Sequence, residues 1–157
     1  FIGQILAGLS AAHGAGVLHR DLKPMNLMLR DAENLVVADF GISRFSDSDS
    51  EHTTEAMLLG TPAYMSPEQC MGQKVDERAD LYSAGVIFYE MLIGRRPYIG
   101  RAMMEILKQH VNSPVPTLPR ALSRWQPLLD GLMAKELDGR VPSADEALRL
   151  LKRLSSH

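Results

Sequence analysis

Apolar residues recur at helical spacing along most of the chain, and this pattern predicts a mainly α structure. The spacing starts at the first position, where one helical face carries Phe1, Ile2, Ile5, Leu6, Leu9 and Ala12. We therefore expect the sequence to begin inside a helix, and the lack of an initiator methionine favours a fragment. A second segment, 80–93, is apolar on nearly every face, which is typical of a helix buried in the middle of a domain.

Serine residues mark three further predicted helix starts. Ser66, Ser123 and Ser143 are each followed three residues later by Gln or Glu, which is the spacing of a capping box. The partners in these predicted boxes are Gln69, Gln126 and Glu146. Another helix is expected where Met103, Ile106, Leu107 and His110 share a face.

Two short apolar runs, 27–29 and 35–37, flank the polar segment 31–34 and predict a β-hairpin. If the hairpin closes symmetrically, Leu27 faces Ala38 and Asn26 faces Asp39. This register would place an amide oxygen beside a carboxylate at the open end of the ribbon.

Amide and carboxylate oxygens are ligands that Mg²⁺ accepts, and magnesium often takes only one or two of them from the protein. Asn26 and Asp39 are therefore candidate metal ligands. The alternative is that each residue merely caps a strand end.

Composition narrows the class of protein. The chain has 157 residues, 45% hydrophobic and 23% charged, which is ordinary for one soluble domain. A net charge of −2 provides no basic surplus, so we expect no nucleic-acid partner. No apolar run reaches the roughly 18 residues of a membrane span, so we expect no membrane contact in this segment. The single Cys70 favours a reducing, cytoplasmic location and a structural role for this thiol.

The segment 44–59 is rich in Ser, Thr and acidic residues without an apolar period, which predicts a long loop. Thr53 and Thr54 are candidate phosphorylation sites there. A phosphate on either hydroxyl could pair with Arg20 and order the loop. A solvated loop with no regulatory role explains the composition equally well.

Asp80 stands at the start of the predicted buried helix. A buried carboxylate is costly unless it accepts hydrogen bonds, so we expect Asp80 to bind backbone N–H groups of a neighbouring loop.

Three motifs in order carry a family resemblance. The segment 19–26 (HRDLKPMN), the triplet 39–41 (DFG) and the triplet 66–68 (SPE) resemble the catalytic loop, metal-binding loop and activation-segment end of eukaryotic-type protein kinases. Lys23 is typical of the serine/threonine branch, and the segment 60–69 is similar to bacterial members.

The resemblance implies a fold as well. It covers residues 1–157 but only the C-terminal helical lobe of the kinase fold, with a short β-hairpin carrying the catalytic and metal-binding loops. The Gly-rich loop and lysine strand of the N-terminal lobe have no counterpart in this sequence.

The resemblance also assigns roles in catalysis. Asp21 would accept the proton of a substrate hydroxyl, Lys23 would neutralise charge on the transferring phosphoryl group, and Thr61 would bond to both. Asn26 and Asp39 would hold Mg²⁺, with Mn²⁺ a possible substitute. Met28 would pack beneath the adenine ring of ATP.

Further residues would support the fold around this site. The resemblance implies that Glu68 pairs with Arg140 in a buried ion pair and that His19 joins Phe40 in a column linking the two lobes. The late Arg140 and the helix at Asp80 fit the same pattern.

We therefore predict a serine/threonine protein kinase that transfers the γ-phosphoryl of ATP to Ser or Thr of protein substrates. A kinase-like binding or scaffold fragment without activity is the alternative. A metal-dependent phosphoester hydrolase built on His19, Asp21, Asn26 and Asp39 is disfavoured, because a two-metal site would need more His and carboxylate ligands. The sequence predicts no particular oligomeric state.

Overall fold

The computed structural model describes residues 1–40 and 62–156, and helices dominate both ranges. The first range holds α1 (Ile2–Gly14) and a hairpin of β1 (Leu27–Leu29) and β2 (Leu35–Val37). The second holds α2 (Pro67–Cys70), α3 (Glu77–Ile93), α4 (Met103–Asn112), α5 (Gln126–Met133) and α6 (Ala144–Ser155). Short 3-10 segments lie between these elements, at Pro24–Asn26, Pro62–Tyr64, Arg120–Trp125 and Leu137–Gly139.

Helix α3 lies at the centre of the core. Its N-cap is Asp76, whose carboxylate accepts from the Arg78 N–H, and it ends at Gly94, which has φ of 79°. The interior of the helix is buried along its length, as its apolar pattern predicted. A Cβ on Gly85 would come within 2.7 Å of Met133 Cγ, so this glycine allows α5 to approach α3 closely.

Helix α1 supports the hairpin. It packs against α3, α6 and strand β2, with Ile5, Leu6 and Leu9 fully buried. The Gln4 side chain accepts from the Leu35 N–H and donates to the Glu33 carbonyl, which ties the hairpin to the helix. Within the described ranges, no helix is long and apolar enough to cross a membrane.

The predicted hairpin is present, but its predicted register is wrong by one residue. Leu27 pairs with Val37 and Leu29 with Leu35, so Arg30 faces Asn34 instead of Leu35. The cause is the Asp31 carboxylate, which accepts from the Glu33 and Asn34 N–H groups and from the Asn34 side chain. This Asx turn draws Asn34 into the ladder and shortens the loop to three residues, 31–33.

Two of the three predicted serine caps are found. Ser66 forms the full capping box with Gln69, and Ser143 accepts from the Glu146 N–H. The predicted box at Ser123 is wrong, because residues 120–125 form a 3-10 turn in which Ser123 donates to the Arg120 carbonyl. Gln126 instead accepts from the Leu118 N–H, so it fixes the preceding proline-rich linker.

A buried ion pair joins α2 to the segment before α6. Arg140 Nη1 and Nη2 donate to the two carboxylate oxygens of Glu68 at 2.7 and 3.1 Å, and neither side chain is more than 3% exposed. The same guanidinium also donates to the carbonyls of Arg78 and Ala134. The contact implied by the sequence resemblance is therefore present, and it anchors the chain just after residues 62–66.

His110, on α4, is a second buried polar group. Its side chain is fully buried, and α4 packs against the Pro62–Tyr64 turn. Burial, reinforced by the charge of Lys135, lowers the pKa of His110 to about 4. The imidazole is therefore neutral in the folded protein at neutral pH.

We predict that replacing Arg140 by Ala lowers the free energy of unfolding by about 3 to 5 kcal/mol, because Glu68 is left as a buried charge without a partner. The double variant Glu68→Leu/Arg140→Met leaves no charge behind, so its free energy of unfolding should fall less than that of Arg140→Ala. Urea unfolding of the three proteins is the measurement. An Arg140→Ala protein as stable as wild type would contradict the prediction.

Acid should destabilise the fold through His110. Its pKa in the folded state lies below the ordinary 6.5, so the unfolded chain binds the extra proton first as the pH falls. Above a pH of about 6.5 the neutral His110 costs the fold no stability. As the pH drops from there toward 4, protonation of the unfolded chain lowers the free energy of unfolding by roughly 3 kcal/mol. Over that range the unfolding free energy of His110→Gln should fall less steeply with pH than that of wild type. Equal slopes for the two proteins would refute the low pKa of His110 in the folded state.

Candidate active site

The loop at residues 19–21 is held by the Asp80 carboxylate. Asp80 Oδ2 accepts from the His19 N–H and Oδ1 accepts from the Arg20 N–H, both at 2.8 Å. Arg20 has φ of 65°, a left-handed conformation that a non-glycine residue adopts only when its surroundings require it. The expected contact between Asp80 and a neighbouring loop is thus present, and it fixes a strained backbone turn.

His13 is a residue that the sequence reasoning missed. Its Nε2 lies 2.9 Å from Asp80 Oδ2, and because an ionised carboxylate only accepts, His13 donates this bond. His13 lies on the last turn of α1, shortly before the predicted catalytic loop. Its partner is 67 residues away, however, so no local pattern could reveal the pair.

His19 connects the loop to the hairpin. Its Nδ1 accepts from the Asp21 N–H at 3.3 Å, and its Nε2 donates to the Ala38 carbonyl at 2.9 Å. The ring packs edge-on against Phe40, with centroids 4.9 Å apart. His19 therefore links the segment around Asp21 to the residues on both sides of Asp39.

Asp21, Lys23 and Asn26 converge within the loop. Lys23 Nζ lies 3.0 Å from Asp21 Oδ2, and Asn26 Nδ2 donates to the Asp21 backbone carbonyl at 2.7 Å. Asp21 Oδ1 is buried and has no hydrogen-bond partner among residues 1–40 and 62–156. The Asp21 side chain as a whole is 28% exposed, so this carboxylate borders solvent.

The two predicted metal ligands are neighbours, but not in the predicted way. Asn26 faces Ala38, whose N–H donates to the Asn26 carbonyl, so Asp39 lies one residue beyond the pairing position. Asp39 has φ of 60° and is exposed, whereas Asn26 is buried. One amide and one carboxylate at the same end of the hairpin remain a donor set that suits Mg²⁺ with water and phosphate as further ligands.

The outer face of the hairpin is apolar and exposed. Met28 and Val36 form a cross-strand pair there, with 61% and 47% of their surfaces accessible. Exposed apolar side chains on one face of a sheet are available to contact a flat ring or another element.

Three predicted site residues, Thr53, Thr54 and Thr61, lie outside the described residues. The second described range begins at Pro62, and the residues that follow are firmly held. Ser83 Oγ donates to the Tyr64 carbonyl, and the Tyr64 hydroxyl donates to Glu90 Oε2, both at 2.6 Å. Burial and the Glu90 carboxylate raise the pKa of Tyr64, so its hydroxyl stays protonated as a donor.

Helix α2 contacts the loop that precedes Asp21. Gln69 Nε2 donates to the Arg20 carbonyl at 2.7 Å, while its Oε1 accepts from the Ser66 N–H. The Arg20 side chain is exposed.

Replacing Asp80 by Asn should release this loop. The amide keeps only one acceptor oxygen and turns an NH₂ group toward a backbone donor. We therefore expect the free energy of unfolding to fall by about 1.5 to 3 kcal/mol. Hydrogen exchange at the His19 and Arg20 amides should accelerate with it. Asp76→Asn is the matched control on the same helix, since Asn also caps well. Unchanged exchange in Asp80→Asn would show that the carboxylate does not hold the loop.

Comparisons with known proteins show the family of this chain. Residues 1–153 match the protein kinase domain family. Similar curated proteins include a probable serine/threonine-protein kinase PknB of Bifidobacterium longum, 39% identical over 147 residues. They also include the serine/threonine-protein kinases pkn3 of Myxococcus xanthus, 39% identical over 145 residues, and PknL of Mycobacterium tuberculosis, 39% identical over 130 residues.

Each alignment covers most of this chain but a minor part of the relative. It takes in 90%, 87% and 83% of this chain, against 21%, 26% and 32% of PknB, pkn3 and PknL. The chain therefore spans between about a fifth and a third of the relatives it matches. Because the family match extends over nearly all of the sequence, this chain belongs to the protein kinase domain family.

Proposed function

We propose that this chain is the C-terminal lobe of a serine/threonine protein kinase, which transfers the γ-phosphoryl of ATP to Ser or Thr residues of protein substrates. The observation that carries the proposal is the Asp21 carboxylate. One of its oxygens is bonded to Lys23, and the other is buried without a partner among the described residues.

Asp21 is the proposed catalytic base. A buried carboxylate oxygen with no donor is costly to maintain, and a substrate hydroxyl would supply the missing hydrogen bond. The backbone of Asp21 is fixed by His19 and Asn26, so its side chain is held in place before substrate binds. This arrangement lets Asp21 orient the hydroxyl and accept its proton.

Lys23 is the proposed electrostatic partner. Its ammonium lies against Asp21 Oδ2, so a positive charge sits beside the point where the hydroxyl would attack. Negative charge spreads over the oxygens of a transferring phosphoryl group, and a fixed ammonium there lowers the barrier. Thr61 is proposed as a further contact to both side chains.

Asn26 and Asp39 are the proposed ligands of Mg²⁺, or of Mn²⁺ in its place. Bound metal would neutralise the phosphates of ATP during transfer. The Asn26 NH₂ group donates to the Asp21 carbonyl, so the amide oxygen is free of that bond and is oriented away from it. Asp39 extends from the end of β2 into solvent, where a phosphate-bound cation can be reached.

Met28 is proposed to pack beneath the adenine ring. Its exposed pair with Val36 provides a flat apolar surface on the hairpin, suited to one face of a base. The N-terminal lobe of the complete kinase would cover the other face. The His19 and Phe40 contact would then belong to the column that joins the two lobes.

The substrate class and regulation follow the names of the relatives and the sequence motifs. The curated relatives are named serine/threonine-protein kinases, and Lys23 stands at the position typical of that branch. Phosphorylated Thr53 or Thr54 is proposed to pair with the exposed Arg20, whose backbone is clamped between Asp80 and Gln69. A cytoplasmic location is proposed for this segment.

The test is Asp21→Asn in the complete kinase. Asn cannot accept the hydroxyl proton, so transfer of labelled phosphate from ATP to a protein substrate should fall by about 10² to 10⁴. The circular dichroism and melting of the protein should change little, because His19 and Asn26 bond to the backbone of Asp21 and not to its carboxylate.

Asp138→Asn is the matched control, since Asp138 is an exposed acid in the Leu137–Gly139 turn, outside the proposed site, and should not affect transfer. Autophosphorylation retained by Asp21→Asn would overturn the role of Asp21. Wild-type protein that binds substrate but transfers no label would favour the binding or scaffold alternative.

A further inference from the structure

A cluster of polar side chains lies inside the helical core, away from the loop that carries Asp21. It consists of Tyr82 on α3, Tyr98 in the α3–α4 connection, His110 on α4 and Lys135 after α5, and we call it the Lys135 cluster. Tyr82 and His110 are fully buried and Tyr98 is 4% exposed. No part of the proposed phosphoryl transfer uses these residues.

The hydrogen bonds of the Lys135 ammonium are complete. Its three N–H groups meet three acceptors: the Tyr82 and Tyr98 hydroxyls at 2.9 Å and the His110 carbonyl at 2.8 Å. The ammonium also lies 4.4 Å from the centroid of the Tyr98 ring. Each hydroxyl is therefore forced to act as an acceptor toward Lys135 and must donate its own hydrogen elsewhere.

The acceptors within reach suggest where these two hydrogens lie. Tyr98 donates to the Pro114 carbonyl at 2.9 Å. Tyr82 lies 3.0 Å from His110 Nδ1, and we assign its hydrogen to this nitrogen. Nδ1 is then an acceptor, and the single hydrogen of the neutral ring must be on Nε2.

The helix that carries His110, α4, packs against the Pro62–Tyr64 turn that begins the second described range. Nε2 is buried and has no partner at hydrogen-bond distance among the described residues. The backbone carbonyls of Ala63 and Pro62 are nevertheless close enough to favour the protonated ring, which raises the pKa of His110 against the larger effect of burial. These carbonyls are the natural acceptors for Nε2–H.

The same two residues form one wall of a cavity of about 210 Å³, which is also lined by Arg96, Met103 and Ile106. Pro62 directly follows Thr61, and Gln69 on the adjoining helix is bonded to the Arg20 carbonyl. The wall is therefore the candidate surface for a peptide that presents a hydroxyl to Asp21.

We propose that Lys135 is a positioning residue: through Tyr82 it fixes the tautomer of His110, and His110 in turn fixes the Pro62–Ala63 wall against which a substrate peptide packs. This inference rests on the proposed function for its peptide, but the tautomer itself does not depend on any activity. Lys135 touches neither peptide nor ATP.

The charge of Lys135 makes the arrangement sensitive to pH. Burial and the nearby Arg140 lower the pKa of Lys135 to about 8, with Cys70 opposing them. The other groups around it keep one charge state from pH 7 to about 9.5: burial raises the pKa of Cys70 and of Tyr98 to about 12 and raises that of Tyr82 further. Loss of one proton above pH 8 leaves Lys135 with two donors, and the Tyr82 hydroxyl is no longer obliged to donate to His110.

The first experiment measures the tautomer. The complete protein is labelled with ¹⁵N in histidine, and the His110 signals are assigned by their loss in His110→Gln. At pH 7 we expect Nε2 to be protonated and Nδ1 to be an unprotonated acceptor. In Tyr82→Phe this preference should be lost, whereas Tyr98→Phe, the matched control, should retain it because Tyr98 donates to Pro114 and not to His110. Wild-type His110 protonated on Nδ1, or on both nitrogens, would overturn the proposal.

The second experiment separates peptide binding from chemistry. In Lys135→Met and Tyr82→Phe, the KM for a substrate peptide should rise about fivefold, the factor that one lost hydrogen bond implies, with kcat and the KM for ATP within about twofold. Wild-type KM for the peptide should rise between pH 7.5 and 9, and in Lys135→Met it should not.

An unchanged peptide KM in both variants, or an equal rise in Tyr98→Phe, would overturn the positioning role. Wild-type protein that transfers no phosphate would refute the proposed function and with it the peptide step, while the nitrogen shifts of His110 would still decide the link from Lys135.

Discussion

The Asp80 carboxylate is the interaction on which the rest of the site depends. It is 2% exposed and accepts three hydrogen bonds, from the His13 side chain and the His19 and Arg20 backbone. Buried charge is tolerated only with such full satisfaction. Because Asp80 lies in the first turn of the most deeply buried helix, the core of the fold and the loop around Asp21 are rigidly joined at this carboxylate.

From the loop held by Asp80, hydrogen bonds and packing contacts extend to both sides of the site. Toward the hairpin, His19 bonds to the Ala38 carbonyl and packs on Phe40, which fixes the approach to Asp39. Toward α2, the Arg20 carbonyl receives Gln69, and the ion pair of Glu68 with Arg140 fixes that helix to the end of the chain. Asp80 and Gln69 hold the loop from helices α3 and α2, and sites supported on rigid elements keep their geometry.

Local signals in the sequence predicted most elements, and long-range contacts account for the rest. The periodicity of 80–93 and the capping residues Ser66 and Ser143 are local, and they identified their helices correctly. The hairpin register failed because one side chain, Asp31, formed a tighter turn than symmetry suggested, and a one-residue slip is enough to change every pairing. His13 and the Lys135 cluster were missed because their partners are distant in sequence and a lone His or Lys has no recognisable pattern.

In the proposed mechanism, Asp21 receives the substrate hydroxyl beside a metal held by Asn26 and Asp39. The most direct measurement is a crystal structure of the complete kinase with Mg²⁺, a non-hydrolysable ATP analogue and a substrate peptide. We expect the acceptor oxygen of the peptide at about 2.6 to 3.2 Å from the Asp21 carboxylate, with the Asn26 and Asp39 side chains bound to the metal. A peptide hydroxyl bound elsewhere, or a metal that neither side chain touches, would contradict it.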